Sequence, residues 1–118
     1  MERDHGELRS ALSILQRSPL RSPARLAVML LLAARGPLEF SDIQRALGLT
    51  PGNLWSHLEK LKEKGLVKIS YKPSLGRGPR MTIEATSRGL EELIKYINAL
   101  KTLEATARKA EGDLAERL

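Results

Sequence analysis

The chain has 118 residues and a formal net charge of +6, from 20 Lys and Arg against 14 Asp and Glu. That length suits one domain with a modest core. With no cysteine present, disulfides, thiolate catalysis and cysteine-based metal or redox sites are excluded.

Residues 6–17 place apolar side chains at 8, 11, 12, 14 and 15, which predicts an N-terminal helix. "SPLRSP" breaks it, and Ser22 with Pro23 supplies the cap and first turn of a second helix ending near Arg35. The middle of that helix, "LAVMLLLAA", has nine apolar residues. A bilayer span needs about 20, so the segment predicts a buried core helix and no membrane crossing. The N-terminus "MERDHGELRS" contains acids and no apolar run, so no export signal is expected and the chain is read as cytoplasmic.

Gly36 and Pro37 stop the second helix. Ser41 is the expected cap of a short third helix that uses Ile43, Ala46 and Leu47 and ends at Gly48. Thr50 caps a fourth helix, "TPGNLWSHLEKLKEK", with leucines at 54, 58 and 61. Two helices joined through a glycine turn in this way form a helix-turn-helix pattern. After Gly65 the period changes to two: Val67, Ile69 and Tyr71 alternate with polar residues, as do Met81, Ile83 and Ala85 later. The two strands flank "KPSLGRGP", a loop rich in glycine and proline. From Ser87 to about residue 110 there is no proline, and apolar residues fall at 90, 93, 94, 97, 100, 103 and 107. This long stripe predicts a final helix that packs on the N-terminal helix of its own or a second subunit.

The order is that of a winged helix-turn-helix. The fold class is mainly α with a small β-hairpin wing, an N-terminal helix and a long C-terminal dimerisation helix. One domain is expected over 1–118, with its core at about 22–86 and dimerisation helices at about 6–17 and 87–111.

The charge is concentrated. Residues 50–80 hold seven basic side chains and two acidic ones, whereas residues 87–118 hold six of each. A localised basic patch is the electrostatic footprint of a polyanion binder.

On a wheel of about 100° per residue, Leu54, Leu58 and Leu61 share one face of the fourth helix. Gly52, Ser56 and Glu63 fall nearly opposite, with Asn53 and Lys60 on one side of that face and Trp55 and His57 on the two flanks. Small side chains let a backbone approach a groove, and Asn and Ser can exchange hydrogen bonds with base edges. Thr50 is first a cap, with a phosphate contact as a second role. Each of the others has a plainer structural alternative: Asn53 as a first-turn residue, His57 as a packed histidine, Trp55 as a cover for a neighbouring helix. Lys72, Arg77 and Arg80 bracket or occupy the hairpin loop and are expected on the DNA backbone or in the minor groove.

The segment "LTPGNLWSHLEKLKEKGLVKISYKPSLGRGPRMTIEATSRGLEEL" resembles the DNA-binding core of MarR-like winged-helix transcriptional regulators. It is most similar to a small bacterial and archaeal subgroup with an "LT-x-G-N-L-x-x-H-L-x-x-L-x-x-x-G-x-V" recognition helix. "GRGPRMTIEATSRG" resembles the wing, return strand and start of the last helix in that subgroup, and the likeness spans about residues 25–100. The resemblance implies a homodimeric repressor or activator on double-stranded DNA, with one recognition helix per subunit in a major groove. Trp55 departs from it, being bulkier than expected at a variable position. Related regulators bind small-molecule effectors, but no residue pattern marks such a pocket here.

No cofactor and no metal are expected, since two histidines without cysteine make a poor ligand set. No nucleophile–base pair, paired carboxylates or phosphate loop is visible, so an enzyme is not expected. The alternatives that stay open are a non-specific, chromatin-like DNA binder and a winged-helix protein or RNA interaction module.

Overall fold

The structure, a computed structural model, describes residues 2–73, 76 and 80–118, with side chains from residue 6 onward. Backbone contacts divide the chain into two units, Pro19–Leu93 and the combination of Met1–Ser18 with Ile94–Leu118.

Within Pro19–Leu93, the expected breaks and the caps at Ser22 and Thr50 are in place. A short 3-10 turn over Pro19–Arg21 fills part of "SPLRSP". Helix α2 (Pro23–Arg35) then starts at Ser22, whose hydroxyl accepts from the Arg25 N–H. Its Val28, Met29 and Leu32 are buried, but Leu30, Ala33 and Ala34 are exposed, so the apolar run expected in the core buries one face only. The chain then makes a short strand, β1 (Leu38–Glu39), and passes directly into α3 (Phe40–Leu47). Gly48 ends α3 in the left-handed conformation at φ 66°, and its N–H closes on the Gln44 carbonyl at 2.9 Å. Only glycine adopts that conformation at little cost, which keeps the turn to α4 (Pro51–Glu63) short.

Two expectations about α3 are corrected. Ser41 lies inside the helix; the residue at the cap position is Glu39, which makes no side-chain capping bond. The reason is the strand before it: Leu38 and Glu39 pair with Ile83 and Thr82, so the helix begins as soon as the chain leaves the sheet. Ala46 is exposed, while Ile43 is buried and Leu47 half-buried. On the helix wheel Ile43, Leu47 and Phe40 fall within about 60° of one another, and Ala46 lies about 60° beyond Ile43 on the outer edge of that face.

The sheet has the order β1-β3-β2, with β2 at Val67–Lys72 and β3 at Arg80–Ala85. The hairpin register runs from Val67 opposite Ala85 to Lys72 opposite Arg80. The third strand, β1, goes beyond the two expected from periodicity. Burial falls along β2 from Val67 outward, and Tyr71, expected on the apolar face, is 61% exposed. Leu54, Leu58 and Leu61 of α4 are fully buried with Ile43 and Ile83 in the core. Helix α2 contacts α3, α4 and β3, and α4 contacts β2.

The final helix, α5 (Ser87–Arg117), is longer than the stripe predicted and contributes to both units. Its first turns are fastened to the end of α4. The Thr86 N–H donates to the Leu66 carbonyl (3.0 Å), and the Thr86 hydroxyl donates to the Gly65 carbonyl (2.6 Å). That hydroxyl also accepts from the Gly89 N–H (3.0 Å), the geometry of an N-cap.

In the other unit, α1 (Glu2–Arg17) begins earlier than residue 6. Ala11, Leu15, Tyr96 and Ala99 are buried there, whereas Leu12, Ile94, Leu100 and Leu114 are exposed. From Glu104 onward every residue of α5 is exposed.

Candidate nucleic-acid interface

The candidate interface is built on α4, whose leucine face holds it in the core and fixes which side chains point away. Thr50 performs its capping role: its Oγ1 accepts from the Asn53 N–H at 3.2 Å. Gly52, Asn53, Trp55 and Ser56 are exposed, as is Lys60, and His57 is half-buried beside the leucine face. A Cβ added at Gly52 would meet no atom within 4 Å. Protein packing therefore does not require glycine there. The outward surface of the first two turns is thus small, uncharged and rich in hydrogen-bonding groups, with Trp55 as its single large apolar side chain. Lys60 lies 3.9 Å from Glu63, a loose and solvated pair.

The hairpin departs from α4 through β2. Lys68 and Lys72 are exposed on it. Lys72 stands directly across from Arg80, and like charges in that position repel. Arg80 is nevertheless half-buried, with its Nη1 2.9 Å from an oxygen of Glu39 on β1. Glu39 thus offsets the repulsion and ties the loop end of the hairpin strands to β1. Both partners are more than a third exposed, so the pair contributes less than about 1 kcal/mol to stability. Its consequence is positional: the Arg80 guanidinium is oriented from the β1 side. Arg77 lies outside the described residues.

Thr50, Gly52, Asn53, Trp55, Ser56 and Lys60 are therefore gathered on one exposed helix surface, with His57 at its border. Lys72 and Arg80 sit together at the loop end of the hairpin strands. Sequence reading passed over Glu39 and Arg25. Glu39 acts across 41 residues, a separation no periodic pattern reports. Arg25 lies in a hollow alongside Ser56, His57 and Lys60. Among the described residues, no group of three or more His, Cys, Asp or Glu side chains is placed to hold a metal ion. No described helix is long and apolar enough to cross a membrane.

A family described as "Winged helix DNA-binding domain" matches residues 24–103. A relative from Methanocaldococcus jannaschii, described as an uncharacterized protein, is 34% identical over 76 residues, which span 64% of this chain and 82% of that protein. The solved structure of a transcriptional regulator homologue from Pyrococcus horikoshii OT3 is 36% identical and superposes with a TM-score of 0.75 over 83% of this chain and 97% of that one. In fold alone, the chain is also similar to Bacillus subtilis PadR solved with operator DNA. There the TM-score is 0.58 and the identity 20%, over 64% of this chain and 47% of PadR.

Proposed function

Because the chain belongs to the winged helix DNA-binding domain family, we propose that it is a transcriptional regulator that reads duplex DNA as a homodimer. In this reading α4 enters the major groove, and the hairpin with Lys72, Arg77 and Arg80 lies on the backbone or in the minor groove. The observation that carries the reading is the exposed, uncharged face of Gly52, Asn53 and Ser56 at the start of a helix anchored by three fully buried leucines. The N-terminal half of a recognition helix is where such folds meet base edges. Asn53 and Ser56 supply donors and acceptors for those edges, and Thr50 and Lys60 flank them toward phosphates. The named neighbours are a transcriptional regulator homologue and a PadR bound to operator DNA, which supports the same assignment. Acting on the genome would place the protein in the cytoplasm.

The homodimer is supported by the apolar side chains left in solvent. Leu12, Ile94, Leu100 and Leu114 are each at least 36% exposed, and α5 continues past the last buried residue through the whole of 104–117. A second copy wrapped along α5 would cover these side chains and present two recognition helices one DNA turn apart, about 34 Å. Ile94→Glu is accordingly expected to yield a monomer, read by sedimentation equilibrium. A dimer of unchanged affinity would remove this surface from the interface.

In vitro selection from random duplex DNA at near-physiological salt tests the function. Enrichment of a palindrome with half-sites one helical turn apart is the expected result. Retention of DNA without enrichment would identify a non-specific binder, and no salt-dependent retention would leave a protein or RNA interaction module.

Gly52→Ala separates groove fit from folding. Alanine favours the helix by up to about 1 kcal/mol and meets no atom of the protein, so the melting temperature should hold or rise. Affinity for the selected site should drop about tenfold, because close approach of backbone and groove is lost. Unchanged affinity would show that α4 stands off from the groove at this point.

A further inference from the structure

One flank of α4 borders a hollow of about 330 Å³, lined by Ser56, His57, Glu59, Lys60 and Glu63 together with Arg25 from α2. Among the described residues, the Nε of Arg25 is the one buried side-chain nitrogen or oxygen without a hydrogen-bond partner. Two carboxylates share the hollow, yet none of the ion pairs among the described residues involves Arg25; Glu63 lies near Lys60 instead. A buried, charged N–H without an acceptor is unfavourable. It is explained if the acceptor arrives with a ligand.

We propose that Arg25 seats a phosphodiester of the bound duplex, forming with Lys60 a backbone anchor separate from the hairpin. This rests on the DNA-binding reading of α4 and extends it to a residue outside the helix-turn-helix. The guanidinium is a planar fork whose Nε and one Nη can donate two parallel hydrogen bonds to phosphate oxygens, and Lys60 adds a compact charge beside them. Arg25 and Lys60 are balanced by Glu59 and Glu63, so the charges of the hollow nearly cancel. Selection of phosphate therefore depends on the geometry of the fork more than on net charge. A contact of this kind carries no sequence information; it fixes how deep α4 sits and in which register.

The test is fluorescence anisotropy of the full chain with a selected-site duplex and a scrambled duplex across a salt series. Arg25→Ala should weaken binding to both duplexes about tenfold and reduce the slope of log K against log salt by about 0.9. Arg25→Lys should keep the slope and still bind more weakly than wild type, because lysine lacks the Nε–H. Wild-type slope and affinity in Arg25→Ala would overturn the proposal, as would a loss confined to the selected site, which would indicate a base contact. Should Arg25→Ala fail to fold by circular dichroism, Arg25→Lys decides: wild-type affinity overturns the seat. If the wild-type chain itself shows no salt-dependent binding, the DNA-binding reading fails first and the seat with it.

Discussion

Gly89→Ala is expected to destabilise the protein by about 3 kcal/mol, the upper part of the range for forcing atoms into packed space. Helix propensity alone predicts the opposite sign, since alanine in a helix is favoured over glycine by about 1 kcal/mol. Packing decides the outcome. A Cβ at Gly89 would collide with the Leu66 carbonyl oxygen and stand 2.8 Å from the Met29 Cε. The methionine tip can rotate away. The carbonyl cannot, because it belongs to the backbone and accepts from the Thr86 N–H at 3.0 Å. Relief would require α5 to lift from the α4–β2 junction, breaking the bonds of Thr86 to Gly65 and Leu66. In thermal unfolding the melting temperature should drop by about 10 °C or more. Gly112→Ala is the matched control: it lies in the same helix with no atom within 4 Å of its added Cβ, and it should hold or raise the melting temperature. Equal melting temperatures for Gly89→Ala and wild type would mean that α5 is not clamped at this point.

This clamp marks the boundary between what the sequence showed and what it did not. Features set by neighbours in the chain were legible: the Thr50 cap, Pro51 in the first turn, the stripe of Leu54, Leu58 and Leu61, the glycine stop at 48, and the existence of the two hairpin strands, though not which of their side chains are buried. Each depends on a period of 3.6 or 2, or on one residue's backbone preference. Features created by distant partners were not. Strand β1 is two residues long and exists only through Ile83 and Thr82; that pairing displaced the expected Ser41 cap. Arg80 read as a free wing base, and only the folded chain brings Glu39 to it. Thr86 and Gly89 lay inside a recognised segment, but the need for a hydroxyl and a missing Cβ follows from the approach of Leu66. The candidate interface divides the same way. Its helix face was visible on a wheel, whereas Arg25 joins it only because α2 packs beside α4.

Ser56→Glu should abolish reading of the selected site while leaving the fold intact, with affinity reduced about 100-fold or more. Ser56 is exposed and opposite the buried leucines, so a longer side chain displaces nothing in the core. Glutamate is a better helix former than serine, and it would lie four residues before Lys60, an arrangement that adds a few tenths of a kcal/mol. Stability should therefore hold or rise slightly. In the complex the balance reverses. A carboxylate at this position would face base edges and flanking phosphates while Lys60 and Arg25 are taken up by the DNA backbone in the reading proposed above, and burying such a charge costs several kcal/mol. Net charge alone predicts far less: Ala105→Glu, at an exposed position on α5, changes the total charge by the same amount and should weaken binding only a few-fold through long-range attraction. The two variants measured together at one salt concentration separate position from charge. Similar small losses in both would place α4 outside the groove and shift sequence reading to the hairpin. A large loss confined to Ser56→Glu would locate the reading surface on the small polar face of "TPGNLWSHLEKLKEK".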